Sequence, residues 1–301
     1  MPWPLGTAMT AFDAAVARTP TGRRLQLAAL CHHLRARAGL TQLDAARTVR
    51  PGMSSGVGQN KIARLERGDG GMREADLIAL LRAYGAEDTV IELACTLRPR
   101  YAKRDRWGGP RAAYDTDSSR RYVDLEEDAA SIRLLGSEMI PDLLACESYA
   151  YAALAGQPAR LRRAKTDAIL SRHDRVLCRQ DPPEIYAVLS ESCFYRRPPG
   201  PPTVLEEQLD HLTALAGQPN ITVQVSTFGA TPGVQDALTL LRLPHPVQSL
   251  DDLTFAWGRI GDDPIPISRI EACERLWSSA VRTALRPADS LRFLHEFKEQ
   301  R

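Results

Sequence analysis

The sequence predicts two domains: an all-α N-terminal domain of five helices, and an α+β domain with a small antiparallel or mixed sheet. The chain of 301 residues is longer than one average domain of roughly 100 to 200 residues. Helical periodicity runs through the first hundred residues, whereas four short runs typical of strands lie in the second part. We expect an N-terminal extension over 1–22, the helical domain over 23–97, a linker over 98–110 and the α+β domain over 111–301.

The five N-terminal helices follow from apolar spacing and from residues that start or stop a helix. Residues 23–38, "RRLQLAALCHHLRARA", are followed by Gly39, which ends the helix, and by Thr41, whose hydroxyl can cap the helix "QLDAARTV". A third helix, "GQNKIARLE", stops at Gly68, and "EADLIALLRAYG" and "DTVIELACTLR" predict two more. The i, i+3, i+4, i+7 spacing gives the first helix an apolar face of Leu27, Leu30, Cys31 and Leu34.

The pattern changes after "RPRYAKRDRWGGP", a basic stretch with Pro and Gly that marks the linker. Helices are expected near 120–136, 147–155, 160–178, 203–216 and 267–285. The expected strands are "EIYAVL", "NITVQVS", "ALTLLRL" and "LTFAWG". Because helices and strands interleave unevenly, the α+β class is favoured over a regular parallel fold.

Composition excludes several classes of protein. No apolar run approaches the roughly 20 residues of a membrane span, and the N-terminus lacks the features of an export signal. The six cysteines form no CxxC pair and have no histidine at ligand spacing, so we expect reduced thiols and no metal. GxSxG, GxGxxG and GxxxxGK motifs are missing. We therefore expect a cytoplasmic protein that is not an enzyme and carries no cofactor.

Charge is distributed unevenly along the chain. Residues 1–106 hold 17 basic and 10 acidic residues, a net charge of +7, and the remainder carries −5. The excess is strongest over 18–67, with ten basic and two acidic residues. Basic side chains bind nucleic acid by neutralising phosphates and releasing counterions. The N-terminal third is therefore the expected nucleic-acid-binding end.

The third helix presents side chains that can read bases. If Ile62 and Leu65 face inward, a rotation of about 100° per residue turns the polar positions outward. Gln and Asn can pair with adenine and Arg with guanine, whereas residues at the flanks contact the DNA backbone. The structural alternative is a plain helical bundle with polar residues in solvent. The expected base-reading residues are Gln59, Asn60 and Arg64, and the expected backbone contacts are Lys61 and Arg67.

Three stretches in order, "LRARAGLTQLDAARTV", "GQNKIARLERG" and "DLIALLRAYG", resemble the helix-turn-helix of phage-repressor and xenobiotic-response-element-type regulators. The resemblance implies a regulator of transcription that binds double-stranded DNA as a two-fold dimer. It also implies that Gln42 touches the DNA backbone or braces Gln59. Arg35 and Glu66 fall where the family keeps a buried ion pair between the first and third helices.

The connection between the two helices departs from this family. Gln42 and Gln59 stand 17 residues apart, where the family usually has about 11. The surplus over 51–57 contains both Pro and Gly, so it is not a tight turn. Either it loops out above an intact helix pair, or it displaces the supporting helix and Gln42 loses its role. Gly58 replaces the usual Ser or Thr cap of the third helix.

Beyond the linker, "LEEDAASIRLLGSEMIPDLLACESYAYAAL", "SRHDRVLCRQDPPEIYAVLSESCFYR" and "LEEQLDHLTALAGQPNITVQVSTFG" resemble the C-terminal domain of actinobacterial regulators described as Scr-type antitoxin-like. The stretch "PDLLACESYA" departs from that family's pattern at Asp142, Ala145 and Cys146. The resemblance implies a domain for dimerisation and for sensing of a partner or ligand. The alternative is an antitoxin-like interaction module that binds a small neighbouring-gene protein.

A second alternative is a small-molecule-responsive regulator with a pocket between helices and sheet. Tyr195, Phe228 and Trp257 are candidate walls and Glu191 a candidate pocket acid, although core aromatics and a capping or ion-pair role fit the same residues. The run of Arg172, His173 and Arg175 can pair with Glu191 or with an acidic ligand, or form a solvated helix face.

Overall fold

A computed structural model describes residues 15–49, 57–98, 107–247, 249–260 and 262–300. Parts of three predicted segments fall outside these residues: 1–14 of the extension, 51–56 of the insertion and 99–106 of the linker. The chain divides into two compact units. The first comprises Met1–Lys103 with Leu243–Leu253, and the second Arg104–Arg242 with Thr254–Arg301. Residues 243–253, which the sequence assigned to the C-terminal domain, thus pack in the first unit.

The described part of the first unit contains five helices: α1 (Pro20–Arg37), α2 (Gln42–Val49), α3 (Gln59–Glu66), α4 (Glu74–Ala83) and α5 (Asp88–Leu97). Helix α1 begins before the predicted position because the Thr19 hydroxyl accepts from the Gly22 amide at 3.0 Å and Pro20 follows. The Thr41 hydroxyl accepts from the Asp44 amide at 3.1 Å, as expected for the cap of α2. Gly39 and Gly68 have φ of 67° and 73°, which ends α1 and α3.

The first unit has one shared core. The predicted face of α1 is buried, together with residues from all five helices. Ala45, Ala46 and Val49 of α2 lie in the same cluster as Ile62 and Leu65 of α3. Of the two alternatives for the insertion, this packing favours an intact helix pair, because a displaced α2 would leave the cluster.

The segment 243–253 is fastened to α1 through a buried glutamine. The Gln26 side chain is 0% exposed, and its Nε2 donates to the Pro244 carbonyl at 2.8 Å. The His245 Nε2 lies 3.0 Å from the Gln26 carbonyl. Val247 joins the hydrophobic core of the unit. This contact was not predicted, because Gln26 is polar and the two segments are far apart along the chain.

The second unit is built on a five-stranded mixed sheet in its described residues, as the predicted fold class allows. The strands are β1 (Ser131–Gly136), β2 (Glu184–Ser190), β3 (Ile221–Ser226), β4 (Leu238–Leu243) and β5 (Leu253–Trp257). Their order in the sheet is β3-β2-β1-β4-β5. Strand β1 pairs in parallel with β2 and antiparallel with β4, and β2 pairs in parallel with β3. In the register, Ile132 of β1 lies opposite Ile185 of β2 and Leu241 of β4.

The central strand corrects the predicted helix over 120–136. Helix α6 covers only Asp117–Asp128, and β1 follows at Ser131–Gly136. The apolar positions of "LEEDAASIRLLG" satisfy helical spacing, which explains the error. Ile132 and Leu134 are 0% and 2% exposed, because β1 has a neighbouring strand on each side and is covered by side chains on both faces. Such a strand lacks polar alternation and is hard to distinguish from a buried helix.

Helices surround the sheet. Trp277 packs edge-on against Tyr186 of β2, with ring centroids 5.3 Å apart, and belongs to a cluster with Leu135. Helix α12 was not predicted, although Pro287 marks its first turn. In the described residues, no helix has both the length and the apolar character that crossing a membrane requires. The helices after α6 are α7 (Glu147–Ala153), α8 (Ala159–Val176), α9 (Ser192–Tyr195), α10 (Thr203–Ala216), α11 (Ile270–Thr283) and α12 (Pro287–Glu299).

Candidate nucleic-acid interface

Helix α3 has one buried and one exposed side. Ile62 and Leu65 are 0% and 2% exposed and fix the helix in the core. The three expected base-reading residues, Gln59, Asn60 and Arg64, are all exposed. The first turn and the following turn thus present amide and guanidinium groups to solvent. Base contact by these groups stays a prediction.

An ion pair fastens the C-terminal end of α3 to α1. Arg35 Nε donates to Glu66 Oε1 at 2.6 Å, and Arg35 Nη2 donates to Glu66 Oε2 at 2.9 Å. The third guanidinium nitrogen, Nη1, donates to the Leu40 carbonyl at 2.8 Å. The side chains are 13% and 4% exposed. Two parallel hydrogen bonds restrict both distance and orientation, so this pair, expected from the resemblance, sets the angle of α3.

Gln42 joins this pair rather than bracing Gln59. Its Nε2 donates to Glu66 Oε2 at 2.9 Å, so α2 and α3 are linked through one carboxylate. Burial raises the pKa of Glu66, but the hydrogen bonds from Arg35 and Gln42 lower it more, and the net shift is downward. The bracing partner predicted for Gln42 was therefore wrong, because the Glu66 carboxylate accepts the amide. A contact between Gln42 and DNA remains a prediction.

Lys61 has a partner that the sequence analysis did not assign. Its Nζ lies 2.8 Å from Oδ2 of Asp76, on α4, and the Asp76 side chain is only 9% exposed. Because the ammonium compensates a nearly buried carboxylate, it is not a free phosphate ligand, and the expected backbone contact needs this correction. The basic residue on α3 and the acid in the first turn of α4 were visible in the sequence, but the distance between them was not.

The two exposed arginines of this region are only weakly held. Arg67 Nε lies 3.2 Å from Asp69 Oδ2, and both side chains are more than half exposed. Arg64 Nη2 makes only a long contact of 3.4 Å with the Asp69 carbonyl. Exposed ion pairs contribute about 0 to 1 kcal/mol, so both guanidinium groups can change partner at little cost.

The N-terminal end of α3 begins at Gly58, which has no side chain to cap it. The Gly58 carbonyl accepts from the Lys61 amide at 2.9 Å, which forms the first turn. The earliest amides of a helix point out of its N-terminus, where the helix dipole favours an anion. An uncapped start therefore leaves donors for a phosphate group next to Gln59 and Asn60.

The candidate pocket residues of the second unit fall into two groups. The Phe228 amide donates to Glu191 Oε2 at 2.8 Å, and the Phe228 ring packs at a tilt of 44° against Tyr195, with ring centroids 5.5 Å apart. Tyr195 and Phe228 are 54% and 65% exposed. Trp257 is 0% exposed and packs against Tyr122 at 5.4 Å. None of the four is among the described residues that line the cavity of about 500 Å³ in this unit. The single pocket expected from them is therefore not formed.

The basic run in α8 also has other partners than Glu191. Arg172 is 2% exposed and forms two hydrogen bonds with Glu126 of α6, at 2.8 and 2.9 Å. His173 Nε2 lies 2.9 Å from the Asp142 carbonyl. Arg175 lies 3.4 Å from Glu127. The run therefore connects α8 to α6 through ion pairs and is not a solvated helix face. Spacing along the sequence could not identify α6 as its partner.

Metal-binding groups do not assemble in the described residues. All six cysteines are free, with Cys31, Cys193 and Cys273 buried. No group of three or more His, Cys, Asp or Glu side chains that could hold a metal ion occurs in the part of the chain that the structure describes.

Two family profiles match this chain. A family described as a helix-turn-helix domain matches residues 26–94, from within α1 to within α5. A family described as a domain of unknown function, DUF5753, matches residues 119–296, more than half of the chain. No curated protein and no solved structure matched. The first unit therefore contains a helix-turn-helix domain, and the chain belongs to the DUF5753 family.

Proposed function

We propose that this protein is a sequence-specific transcriptional regulator of the xenobiotic-response-element type, acting as a homodimer in the cytoplasm of an actinobacterium. In this proposal α3 enters the major groove of duplex DNA, with Gln59, Asn60 and Arg64 against base edges. One observation carries the proposal: these three exposed side chains lie on a helix that the Arg35–Glu66 pair orients. They do so within a matched helix-turn-helix domain.

The chemistry of α3 suits direct readout. Asn or Gln can donate to and accept from adenine, and Arg can donate twice to guanine. Arg64 gives up only a 3.4 Å contact when it turns toward a base. The uncapped amides at the start of α3 can donate hydrogen bonds to a phosphate, which would fix the register along the groove. Arg67 can exchange Asp69 for a phosphate at little cost.

Lys61 and Gln42 act indirectly in this proposal. Lys61 fastens α3 to α4 through Asp76, and Gln42 fastens α2 to α3 through Glu66. Both contacts support the orientation of α3. Replacing Lys61 with Ala would then lower stability and DNA affinity together, because the Asp76 carboxylate loses its counterion while nearly buried.

Dimerisation and signal sensing are assigned to the second unit. Two recognition helices meet half-sites one helical turn apart, and one module alone seldom binds tightly at physiological salt. The helix-turn-helix match supports the homodimer, because dimers of such domains bind operators with two-fold symmetry. The antitoxin-like reading, with a small neighbouring-gene protein as partner, is supported by the resemblance alone.

The test is selection of bound duplexes from a random pool by the full-length protein. We expect enrichment of a two-fold symmetric sequence with half-site centres about 10 to 10.5 base pairs apart, or a multiple of this spacing. A pool recovered without enrichment of any sequence would contradict the proposal. Sedimentation equilibrium on the same preparation checks the dimer separately, so an asymmetric single site with a monomer would overturn only that part.

A further inference from the structure

A cavity of about 500 Å³ lies entirely within the second unit. Its walls come from the ends of β1 and β4, from α6, α7 and α8, and from the segment between β1 and α7. Exposed residues such as Asp115 and Arg259 also line it, which marks where the cavity reaches solvent. The volume is in the range of sites that enclose small organic molecules. Most of its buried wall is apolar, including Leu134, Ile140, Leu143, Ala150, Ala168 and Ile169.

Buried polar groups with incomplete hydrogen bonding interrupt this apolar wall. Arg172 uses Nε and Nη2 on Glu126, but the nearest acceptor of its Nη1 among the described residues is the Tyr114 hydroxyl, at 3.4 Å. The Tyr122 hydroxyl is better satisfied, because it has the Glu126 carboxylate as a partner besides Thr239 Oγ1 at 3.4 Å. Among the described residues, the Tyr149 hydroxyl has only the sulfur of Met139, at 3.8 Å, as acceptor. Good hydrogen bonds are shorter than about 3.2 Å, so Arg172 Nη1 and the Tyr149 hydroxyl have capacity left for a ligand.

These polar side chains are deeply buried. Arg172, Tyr114, Tyr122 and Tyr149 are 2%, 8%, 4% and 1% exposed. A buried donor without a good acceptor costs free energy, and a ligand oxygen would relieve that cost. The arrangement therefore favours a molecule that brings an acceptor to the Arg172 and tyrosine end of the cavity.

The charges around the cavity balance. Lys165, Arg172 and Arg259 line it together with Asp115 and Asp142, and Glu126 stands behind Arg172 as its counterion. Three basic and three acidic side chains leave no net charge for an ionic ligand to neutralise. Asp142 Oδ2 also lies 3.7 Å from Arg172 Nη1, which would repel an anionic head group.

We propose that this cavity binds an uncharged, largely apolar organic molecule whose carbonyl-type oxygen accepts hydrogen bonds from Arg172 Nη1 and the neighbouring Tyr114 hydroxyl. The site is argued from the second unit alone. Its use as the signal site of a regulator rests on the function proposed above.

Three probes of similar size test the site and its chemistry on the full-length protein without DNA. Benzophenone carries the uncharged carbonyl and inserts into nearby C–H bonds under near-ultraviolet light, so peptide mapping locates its position. Diphenylmethane has the same shape without an acceptor, and biphenyl-4-carboxylate is an anion. We expect saturable labelling of peptides covering 139–153 and 165–172. As a competitor, diphenylmethane should bind the cavity with an affinity about tenfold lower than that of benzophenone, because one charge-assisted hydrogen bond is lost. The affinity of the anion should be lower still.

Matched variants distinguish binding in the cavity from nonspecific hydrophobic binding. Ala168→Leu on α8 fills the cavity and should abolish saturable labelling, whereas Ala164→Leu, one turn earlier at an exposed position that does not line the cavity, should leave it unchanged. Tyr114→Phe keeps the ring and removes one hydroxyl, so it should weaken binding about threefold to tenfold. Tyr186→Phe loses a comparable hydroxyl outside the cavity and serves as its control. Tyr114→Phe also covers the case in which Ala168→Leu does not fold.

Labelling that does not saturate, maps to other peptides or survives Ala168→Leu would overturn the site. Binding of biphenyl-4-carboxylate as tight as that of benzophenone would overturn the ligand class. Because no DNA is present, neither result bears on the DNA-binding proposal. A failed duplex selection would likewise leave the ligand site in place.

Discussion

The two units each contain an arginine–glutamate pair joined by two hydrogen bonds, partly buried in the first unit and fully buried in the second, and the two pairs differ at one nitrogen. In the first unit all three guanidinium nitrogens of Arg35 have acceptors at 2.6 to 2.9 Å, two on Glu66 and one on Leu40. In the second unit Arg172 binds Glu126 with two nitrogens, but among the described residues its Nη1 has only long contacts beside the cavity, 3.4 Å to the Tyr114 hydroxyl and 3.7 Å to Asp142 Oδ2. The same chemical pair is thus complete in one unit and incomplete in the other.

This difference distinguishes an ion pair that only stabilises the fold from one that can also donate a hydrogen bond to a ligand. A fully bonded pair adds rigidity, and the first unit uses it to orient α3. A pair with a spare donor at a cavity keeps the helices together and still offers a hydrogen bond to an incoming molecule. Neither pair is expected to add much net stability over well-packed apolar residues, but removing one partner alone is costly.

The largest expected effect is that of Glu126→Ala. It leaves the buried Arg172 charge without its hydrogen-bonded counterion, with only Asp142 at 3.7 Å among the described residues, and should cost about 3 to 5 kcal/mol of the free energy of unfolding. Denaturant titration followed by fluorescence measures the loss in a Trp3→Phe background, where the three remaining tryptophans, Trp107, Trp257 and Trp277, all belong to the second unit. The double variant Glu126→Leu with Arg172→Met should recover most of it. A single variant that costs less than about 1 kcal/mol would show that water already solvates this pair.

Arg35→Ala should cost somewhat less, about 3 kcal/mol, because Gln42 still donates to Glu66 and Arg35 is partly exposed. The expected loss is local to the first unit, where α3 is no longer held to α1. Hydrogen exchange followed by mass spectrometry should show faster exchange in α1 to α3, while the tryptophan signal of the second unit is unchanged. DNA affinity should fall with it. Wild-type exchange in α3 would mean that the pair does not orient the helix.

Thr41→Ala should have a smaller effect, about 1 kcal/mol, because it removes the side-chain cap of α2 without burying a charge. The loss of unfolding free energy tests whether the start of α2, from which Gln42 contacts Glu66 of α3, depends on this cap. Thr48→Ala, near the other end of the same helix, is the control, since its hydroxyl only bonds back to the Asp44 carbonyl. Equal losses in both variants would argue against a specific capping role.

As the pH falls, the free energy of unfolding should decline in the second unit before it declines in the first. Burial lowers the pKa of His173 and of His211, whose rings stack 6.5 Å apart. The unfolded chain therefore takes up protons first, so their contribution is complete above the ordinary value of 6.5 and declines as the pH falls below it. The charged and titratable groups around His173 are Arg172, Glu126, Asp142 and the imidazole of His211.

The carboxylate of the first unit responds at lower pH. The pKa of Glu66 is lowered, so its contribution persists down to the carboxyl range and is lost only as the pH passes through that lower value. His211→Phe keeps an aromatic ring against His173 and should flatten the decline in unfolding free energy between about pH 7 and 5. An unchanged pH profile of this variant would exclude His211 as a contributor.

How much the sequence predicted depends on whether the signal was local. The face of α1, the Thr41 cap and the orientation of α3 follow from neighbouring residues, because helix periodicity and capping act within a few positions. The Arg35–Glu66 pair was accessible only through the resemblance. In the second unit, β1 was taken for helix because a strand covered on both sides loses its alternation.

The remaining features depend on tertiary contacts. Lys61 meets Asp76, Gln26 meets Pro244, and Arg172 meets Glu126 across loops whose paths one sequence does not specify. The cavity was missed for the same reason. Tyr114 precedes α6, Tyr149 lies in α7 and Arg172 in α8, and the aromatics chosen from the sequence, Tyr195, Phe228 and Trp257, fill other places.

The most direct test of the central claim is the specificity of an Asn60→Ala, Arg64→Ala double variant. Its affinities for the best selected duplex and for a scrambled duplex are measured at one salt concentration, beside the wild type and an Arg160→Ala control, which removes an exposed charge from α8. We predict that the affinity ratio falls about 100-fold, since each bidentate base contact discriminates by about 1 to 3 kcal/mol, and that the control keeps it. An unchanged ratio in a folded double variant would contradict the assignment of α3 as the reading helix.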